Sequence, residues 1–513
     1  MTAIHQILPA NGPLREALRQ KGQFWTPDWV ARAMVAYVLT DKTKSIFDPA
    51  FGAGAFLGAA KSLAAHMGRQ IEFRGTELHP DSLIEAQSNG LSVQDLTGVE
   101  VRDFVLNPPS EQFEAIVGNP PYIRHHRLSP DVKAKLRGMA TTLLGKPIDG
   151  RAGYHVYFLL RALERLKKHG RLAFIMPADT SEGTFAQTLW RWITRNYRLH
   201  AVITFSPDAS PFPRVDTNAV IFMIENNPPQ DWLHWVHCTC AENESLTHWV
   251  QSGSCSGTDA GMRVIRRNLD EALTTGLSRE PTQPNQDGPT LGDYAYILRG
   301  IATGCNEFFF LTRPQAKNLH IPMQFFIPAV GRTRDVSGDS IEERDLIRLD
   351  AEGRPTLLLS LDARPMRFLP KSLQDYLAKG ESQGIPDRPL IASRNPWYKM
   401  EVRKPPPFLF AYLGRRNARF IHNRARIVPL TGFLCVYPRR GEPEYEEKLW
   451  RVLSDPDTLT NLKMVGKSYG QGAIKVEPRA LERLPLNIHT IQANKLNIVH
   501  SAVQMHFKNL IDI

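Results

Sequence analysis

Asn119-Pro120-Pro121-Tyr122 follows the apolar run Phe113-Glu114-Ala115-Ile116-Val117-Gly118 in this 513-residue chain. Two successive prolines hold the backbone extended and remove two N–H donors, which leaves carbonyls free to accept. The Asn119 side chain adds a neutral acceptor. Such a pair suits an exocyclic amine, whose lone pair is delocalised into its ring and is a poor nucleophile. Hydrogen bonds from both amine protons to the Asn119 side chain and the Pro120 carbonyl would draw the nitrogen toward tetrahedral geometry. The localised pair could then attack an electrophilic methyl carbon. Tyr122 offers a flat face on which a base can stack. A second segment, Asn107-Pro108-Pro109-Ser110, lacks both the preceding strand and the aromatic, and reads as a loop.

Three further constellations precede this one. Phe47-Asp48-Pro49-Ala50-Phe51-Gly52-Ala53-Gly54-Ala55-Phe56-Leu57 takes a short strand through a small-residue turn into a helix. Small residues let backbone approach a ligand, and a helix N-terminus favours a negative group. A turn that only packs a helix on a sheet has the same composition. Glu77, about 25 residues past that turn, is placed to accept from both hydroxyls of a ribose, as in dinucleotide enzymes; a helix-capping acid is the alternative. Asp103 could accept from an exocyclic amine and Phe104 could cover an adenine ring, while a plain loop cap reads the same way.

Elements that position these residues follow from periodicity. Residues 28–39 place apolar side chains at helical spacing after Thr26-Pro27, and further helices are predicted over 54–66, 80–89, 154–169 and 184–197. Short apolar runs at 45–48, 71–75, 114–118, 171–176, 200–205 and 219–224 read as strands. Alternation of this kind predicts a mainly parallel sheet with helices on both faces and ligands at the C-terminal strand ends. Proline-rich residues 281–290 read as a linker between a unit over 1–280 and a mixed α/β unit over 291–513.

Composition excludes other classes. The chain is 42% hydrophobic and 22% charged, an ordinary globular balance. It has no apolar run near the roughly 18 residues of a membrane helix, and no secretory pattern at its start. Five cysteines, Cys238, Cys240, Cys255, Cys305 and Cys435, form a sparse, odd set that suits a reducing cytoplasm. His237, Cys238, Cys240, His248 and Cys255 match none of the common paired zinc spacings, so no metal is expected. The net charge is +11, and residues 391–440 hold eleven Lys or Arg against one acid, Glu401. These charges are interleaved with Trp397, Tyr398, Phe408, Phe410, Tyr412 and Phe420, a pattern that suits phosphate contact and base stacking. Arg394, Lys399, Arg403, Lys404, Arg415, Arg416 and Arg419 are the candidate nucleic-acid contacts.

The series Phe24-Trp25-Thr26-Pro27, Asp48-Pro49-Ala50-Phe51-Gly52, Glu77, Asp103-Phe104 and Asn119 to Tyr122 resembles the gamma class of DNA N6-adenine methyltransferases from restriction–modification systems. The resemblance covers about residues 20–225 and implies a Rossmann-like S-adenosyl-L-methionine-dependent catalytic domain followed by a mixed α/β target-recognition domain. In it Thr26 closes over the methionine part of the cofactor, and Asp48, Ala50 and Gly52 line its carboxylate and amino groups. Glu77 holds the ribose, Asp103 the adenine amine and Phe104 the adenine ring. Asn119, Pro120 and Tyr122 hold a target adenine, with Phe212 of Pro211-Phe212-Pro213-Arg214 as a second contact. Tyr154, His155 and Tyr157 lie near where the family completes its cofactor pocket, but a core-facing stripe explains most of them. Leu298 to Phe309 and Lys467 to Gly472 resemble the opening and closing stretches of the family's recognition domains.

The implied partner is double-stranded DNA, from which the adenine is flipped out for reaction. An RNA adenine methyltransferase and a protein glutamine methyltransferase are the alternatives; the latter has a small N-terminal helical domain and no basic second half. The short stretch ahead of Phe24 leaves no room for a fused nuclease, so a separate restriction endonuclease is expected. A monomer in a prokaryotic cytoplasm completes the expectation.

Overall fold

A computed structural model describes residues 24–182, 185–212, 218–242, 244–253, 257–259, 261–281, 288–411, 418–469 and 473–497. The chain divides into two compact units, Met1–Pro281 and Thr282–Ile513.

In the first unit β1 (Ser45–Asp48), β2 (Glu72–Glu77), β3 (Val99–Val101), β4 (Phe113–Gly118) and β5 (Leu166–Pro177) run parallel. Beyond β5 come β6 (Arg198–Phe205), β7 (Ala219–Glu225), β8 (Trp232–Cys238), β9 (Gly257–Asp259) and β10 (Met262–Asn268). The ten strands lie in the order β3-β2-β1-β4-β5-β7-β6-β8-β10-β9. β7 is antiparallel to both its neighbours, inserted between β5 and β6. Both faces are covered, so successive residues of one strand enter different cores. Ile116 of β4 packs with α4 (Pro130–Leu144), α5 (Tyr154–Glu164) and α6 (Ala186–Asn196), whereas Ala115 and Val117 pack with α1 (Asp28–Val38), α2 (Ala55–His66) and α7 (Ser245–Gln251). This is why the strands read as continuous apolar runs.

The predicted sheet and its helices are present, with two notable differences. The expected helix over 154–169 stops at Glu164, and Leu166 already pairs with Phe113 at the start of β5. Helical spacing continues through Arg165-Leu166-Lys167-Lys168, but backbone pairing with β4 takes precedence. The extension β8–β10 was not anticipated. It buries Cys238 in a strand, one of the residues weighed for a metal; Cys255 lies outside the described residues.

The sequence order reverses between β1 and β4: from β1 the chain steps through β2 and β3 on one side, then returns to β4 on the other. A reversal of this kind leaves an open crevice at the C-terminal strand ends.

The second unit is mixed α/β. A five-stranded sheet joins β11 (Ala295–Arg299), β19 (Phe433–Pro438), β16 (Phe408–Ala411), β17 (Arg419–Asn423) and β14 (Ser340–Ile341). A four-stranded sheet joins β12 (Phe310–Leu311), β15 (Leu357–Leu359), β13 (Phe326–Val330) and β18 (Val428–Pro429). Among the described residues, no helix is long and apolar enough to cross a membrane.

Arg267, 2% exposed, ends β10 and fastens the last turn of the first unit. Its guanidinium grips both Glu271 oxygens at 2.6 and 3.0 Å and donates to the carbonyls of Gly276, Leu277 and Arg279. Removing a buried cation so fully satisfied takes a donor from Glu271 and from three carbonyls at once. Arg267→Ala is expected to lower unfolding free energy by about 3 kcal/mol or more in urea melts. Arg267→Lys recovers only part, because an ammonium cannot reproduce the planar fork.

Candidate active site

At the C-terminal ends of β1, β2 and β4 lies a cavity of about 1010 Å³. Its wall is made by Thr26 ahead of α1, the loop from Pro49 to Gly54, Glu77, Asp103, Phe104, Asn119 and Pro121, with Tyr154 and Phe158 of α5. The structure thus brings together, in one place, residues from five separated motifs. Asp48, Pro120, Tyr122 and Phe212 stand behind this wall rather than on it.

The loop after β1 needs glycine. Gly52 and Gly54 have φ of +54° and +83°, a region that favours residues without a side chain. A Cβ on Gly54 would also fall 2.3 Å from the Leu91 side chain.

Each carboxylate of the motifs holds a turn. Asp48 is completely buried beneath the loop and accepts from the Ala50 N–H at 3.0 Å; its Oδ2 has no hydrogen-bond partner. Burial raises its pKa to about 8, against the pull of the Ala50 N–H, with the Glu77 charge adding a smaller push. Glu77 accepts from the Gly52 N–H at 2.9 Å and the His79 N–H at 2.8 Å, which ties the loop after β1 to the end of β2. Asp103 accepts from the Val105 and Leu106 N–H groups and from the Tyr154 hydroxyl at 3.2 Å. A carboxylate offers about four lone-pair sites. Glu77 and Asp103, both on the cavity wall, therefore serve as turn caps and still have acceptor capacity.

Around Asn119 the arrangement is more specific. Its Nδ2 donates to the Phe24 carbonyl at 2.7 Å and to the Thr26 Oγ1 at 3.2 Å. Among the described residues nothing donates to its Oδ1 or to the Pro120 carbonyl. Gly118 keeps this turn close to β1, since a Cβ there would lie 3.3 Å from the Asp48 Oδ1. The Tyr122 hydroxyl donates to the Ile175 carbonyl at 3.2 Å, which fixes its ring. Phe24 lies 5.6 Å from the Tyr122 ring and 5.8 Å from Phe212, while Tyr122 and Phe212 stand 6.3 Å apart and nearly perpendicular. These three rings close an aromatic corner; Pro213 and Arg214 lie outside the described residues.

Residues 14–236 match the N-6 DNA Methylase family, and residues 280–511 match the C-terminal domain of the Type II methyltransferase M.Eco57I. The chain is 25% identical over 473 residues to the Type II methyltransferase M.AccI of Acinetobacter calcoaceticus, across 91% of this chain and 85% of that protein. It is likewise 25% identical to the Type II methyltransferase M.XamI of Xanthomonas campestris pv. amaranthicola, across 93% and 88%. The chain is a DNA adenine methyltransferase of the restriction–modification type. Its fold is similar to that of the Type IIL restriction–modification enzyme MmeI in complex with DNA, with a TM-score of 0.50 and 14% identity. That match covers 92% of the methyltransferase and 63% of MmeI, so the methyltransferase spans less than two thirds of its length. The RNA and protein-glutamine alternatives gain no support.

Sequence reading missed three participants. Tyr154, grouped with a core stripe, lies on the wall and donates to Asp103; burial, with the Asp103 charge, pushes its hydroxyl well above the usual range. The signal was its place at the first turn of a helix opening after Gly153. His155 and Tyr157 are buried, as a core stripe requires. Phe158 and the main chain of Phe24 carry no sequence signal of their own.

The basic segment of the second unit sorts by partner. Arg394 donates to the Ala302 carbonyl and lies over the Phe309 ring. Arg403 pairs with Glu401 and donates to the Arg299 carbonyl. Arg419 donates to the carbonyls of Val336 and Gly338. Lys399 and Lys404 are exposed; Arg415 and Arg416 lie outside the described residues, as do Tyr412 and residues 470–472 of the closing stretch. Tyr398, Phe408, Phe410 and Phe420 are buried. Phe408, Phe410 and Phe420 are thus core rather than stacking surface, because β16 and β17 pair directly and face two apolar clusters.

Asp48 supplies a pH test. Its pKa of about 8 in the folded chain lies far above the ordinary 3.8, so folding takes up a proton between those values. The contribution is fully present below about pH 4 and lost as pH rises toward 8. Asp48→Asn removes the term. Its unfolding free energy should gain on wild type steadily from pH 5 to 8, by on the order of a few kcal/mol, in urea melts at matched salt.

Proposed function

We propose that the cavity holds S-adenosyl-L-methionine and that the Asn119–Tyr122 turn receives a flipped-out adenine of duplex DNA, the gamma-class arrangement. One observation carries this: the Asn119 amide is held by its nitrogen, while its oxygen and the neighbouring Pro120 carbonyl are both left to accept. These are the two acceptors that an exocyclic amine with two protons requires.

The residues present suit the cofactor. Loop backbone at Ala50 and Gly52 can approach its methionine end, Glu77 keeps lone pairs for ribose hydroxyls, and Asp103 with Phe104, Tyr154 and Phe158 suits an adenine. Asp48 acts from behind the loop by holding Ala50, and Thr26 lies where the methionine end would pass. When bound, the cofactor supplies an electrophilic methyl carbon on a sulfonium. Asn119 and Pro120 hold the amine's protons and turn its lone pair out of the ring plane. Tyr122 gives the base a stacking face, reached when the Phe24 ring swings aside, with Phe212 at its edge. A neutral amide and a carbonyl suffice because the amine needs orientation rather than prior deprotonation.

The second unit, with the linker near 281–290, serves as the target-recognition domain that reads duplex DNA. Of the candidate contacts among the described residues, Lys399 and Lys404 are the ones free for phosphate, since Arg394, Arg403 and Arg419 serve the unit's own carbonyls. The order of the motifs, cofactor pieces before Asn119 and recognition unit last, supports the gamma class. Cleavage is assigned to a separate endonuclease, and the enzyme acts as a monomer in a prokaryotic cytoplasm.

Asn119→Ala should lower methyl incorporation into target adenine by roughly a hundredfold or more while S-adenosylmethionine affinity is kept. Equal incorporation by variant and wild type would remove Asn119 from the reaction. Replacing Lys399 and Lys404 by Ala should weaken duplex binding at low salt and shallow the salt slope by about one per lost phosphate contact. An unchanged slope would take both lysines out of the interface.

A further inference from the structure

The two ends of a carboxamide are nearly equal in size but opposite in hydrogen bonding: one accepts, the other donates. A half-turn of the Asn119 amide would present two donors to an amine that is itself a donor, and the pocket would repel its substrate. Something must therefore choose the end. The Phe24 carbonyl, 2.7 Å from Nδ2, has no proton to give and can face only the NH₂ end. The Thr26 hydroxyl, 3.2 Å away, takes the second hydrogen of the same group. Both hydrogens are then occupied by protein, and the oxygen alone is left for a ligand. Thr26 is 7% exposed and β-branched, so its hydroxyl has little freedom to turn elsewhere. Phe24 and Thr26 lie 95 and 93 residues before Asn119, outside the motif that carries the acceptors.

We infer that the Phe24 carbonyl and the Thr26 hydroxyl form a lock that fixes which end of the Asn119 amide meets the target base, and so selects a base with an amine at C6 over one with an oxygen there. This rests on the reading of Asn119 as the acceptor for an adenine amine. Thr26 is on this account a positioning residue that acts through Asn119, distinct from any contact it makes with the cofactor. The lock makes base selection a property of the segment ahead of α1. With the Thr26 half removed, the Phe24 carbonyl alone holds the amide, and turning its NH₂ end toward a C6 oxygen becomes less costly.

The test uses the full chain and short duplexes carrying either adenine or hypoxanthine at the target position, with binding read by fluorescence anisotropy. Wild type should prefer the adenine duplex. Thr26→Val keeps the side chain's shape but removes the hydroxyl. At saturating cofactor it should narrow that preference several-fold and slow single-turnover methyl transfer about three- to tenfold, the worth of one neutral hydrogen bond. Thr26→Ser should restore both. A urea melt matching wild type reports that the variant is folded. A Thr26→Val variant whose adenine preference is unchanged, or whose only loss is cofactor affinity, overturns the lock while leaving Asn119 in place. Wild type that neither prefers adenine nor methylates it overturns the reading of Asn119 itself, and the lock with it.

Discussion

Side chains that answer unpaired backbone N–H groups at the strand ends hold this site open. Where β1, β2 and β3 stop, the sheet ladder no longer satisfies the chain, and each loop needs another partner. Asp48 answers Ala50, Glu77 answers Gly52 and His79, and Asp103 answers Val105 and Leu106. The loops therefore stand in fixed turns around a cavity instead of folding over it. The reversal of strand order between β1 and β4 decides where that cavity is; the carboxylates decide its shape.

The same groups give the site its chemistry, and the two demands pull in different directions. Glu77 is the cross-brace between the loop after β1 and the end of β2, yet it also faces the cavity with acceptor capacity left over. Asp48 illustrates the cost more sharply. Complete burial makes its charge unfavourable at neutral pH, and one N–H from Ala50 does not offset that. Glycine resolves a related conflict at Gly52 and Gly54, where backbone must turn left-handed and, at Gly54, passes too near Leu91 for a Cβ.

In the second unit, charge counted along the chain and charge offered at the surface are different quantities. A guanidinium brings five donors, and a loop-rich domain has many carbonyls in need of them. Arg394, Arg403 and Arg419 have been drawn into that role, close to where the chain passes between strands. Lysines, with a strongly hydrated single charge, stay in solvent more readily, as Lys399 and Lys404 do. The pairing of β16 with β17 likewise puts Phe408, Phe410 and Phe420 inside. Density of Arg and aromatic residues marks a region, then, without saying which of its members face outward.

What the sequence determined on its own was the order and type of the pieces. Strand period, a Thr-Pro helix start, a small-residue turn, spaced acids and Asn-Pro-Pro-Tyr are local properties, each dictated by backbone conformations that few residues accept. From them the mainly parallel sheet and the crevice at its C-terminal ends were legible, and the resemblance carried by their order implied the class of enzyme. The antiparallel β7, the extension through β8 and β10, and the early end of α5 were not, because each depends on pairing between distant strands. Only the tertiary structure decided that Tyr154 faces Asp103, that Asp48 sits behind the loop, and that Phe24 and Thr26 grip the Asn119 amide. Hydrogen bonds between residues more than ninety positions apart leave no trace in local pattern, and an amide's orientation is set wholly by the partners that folding brings to it.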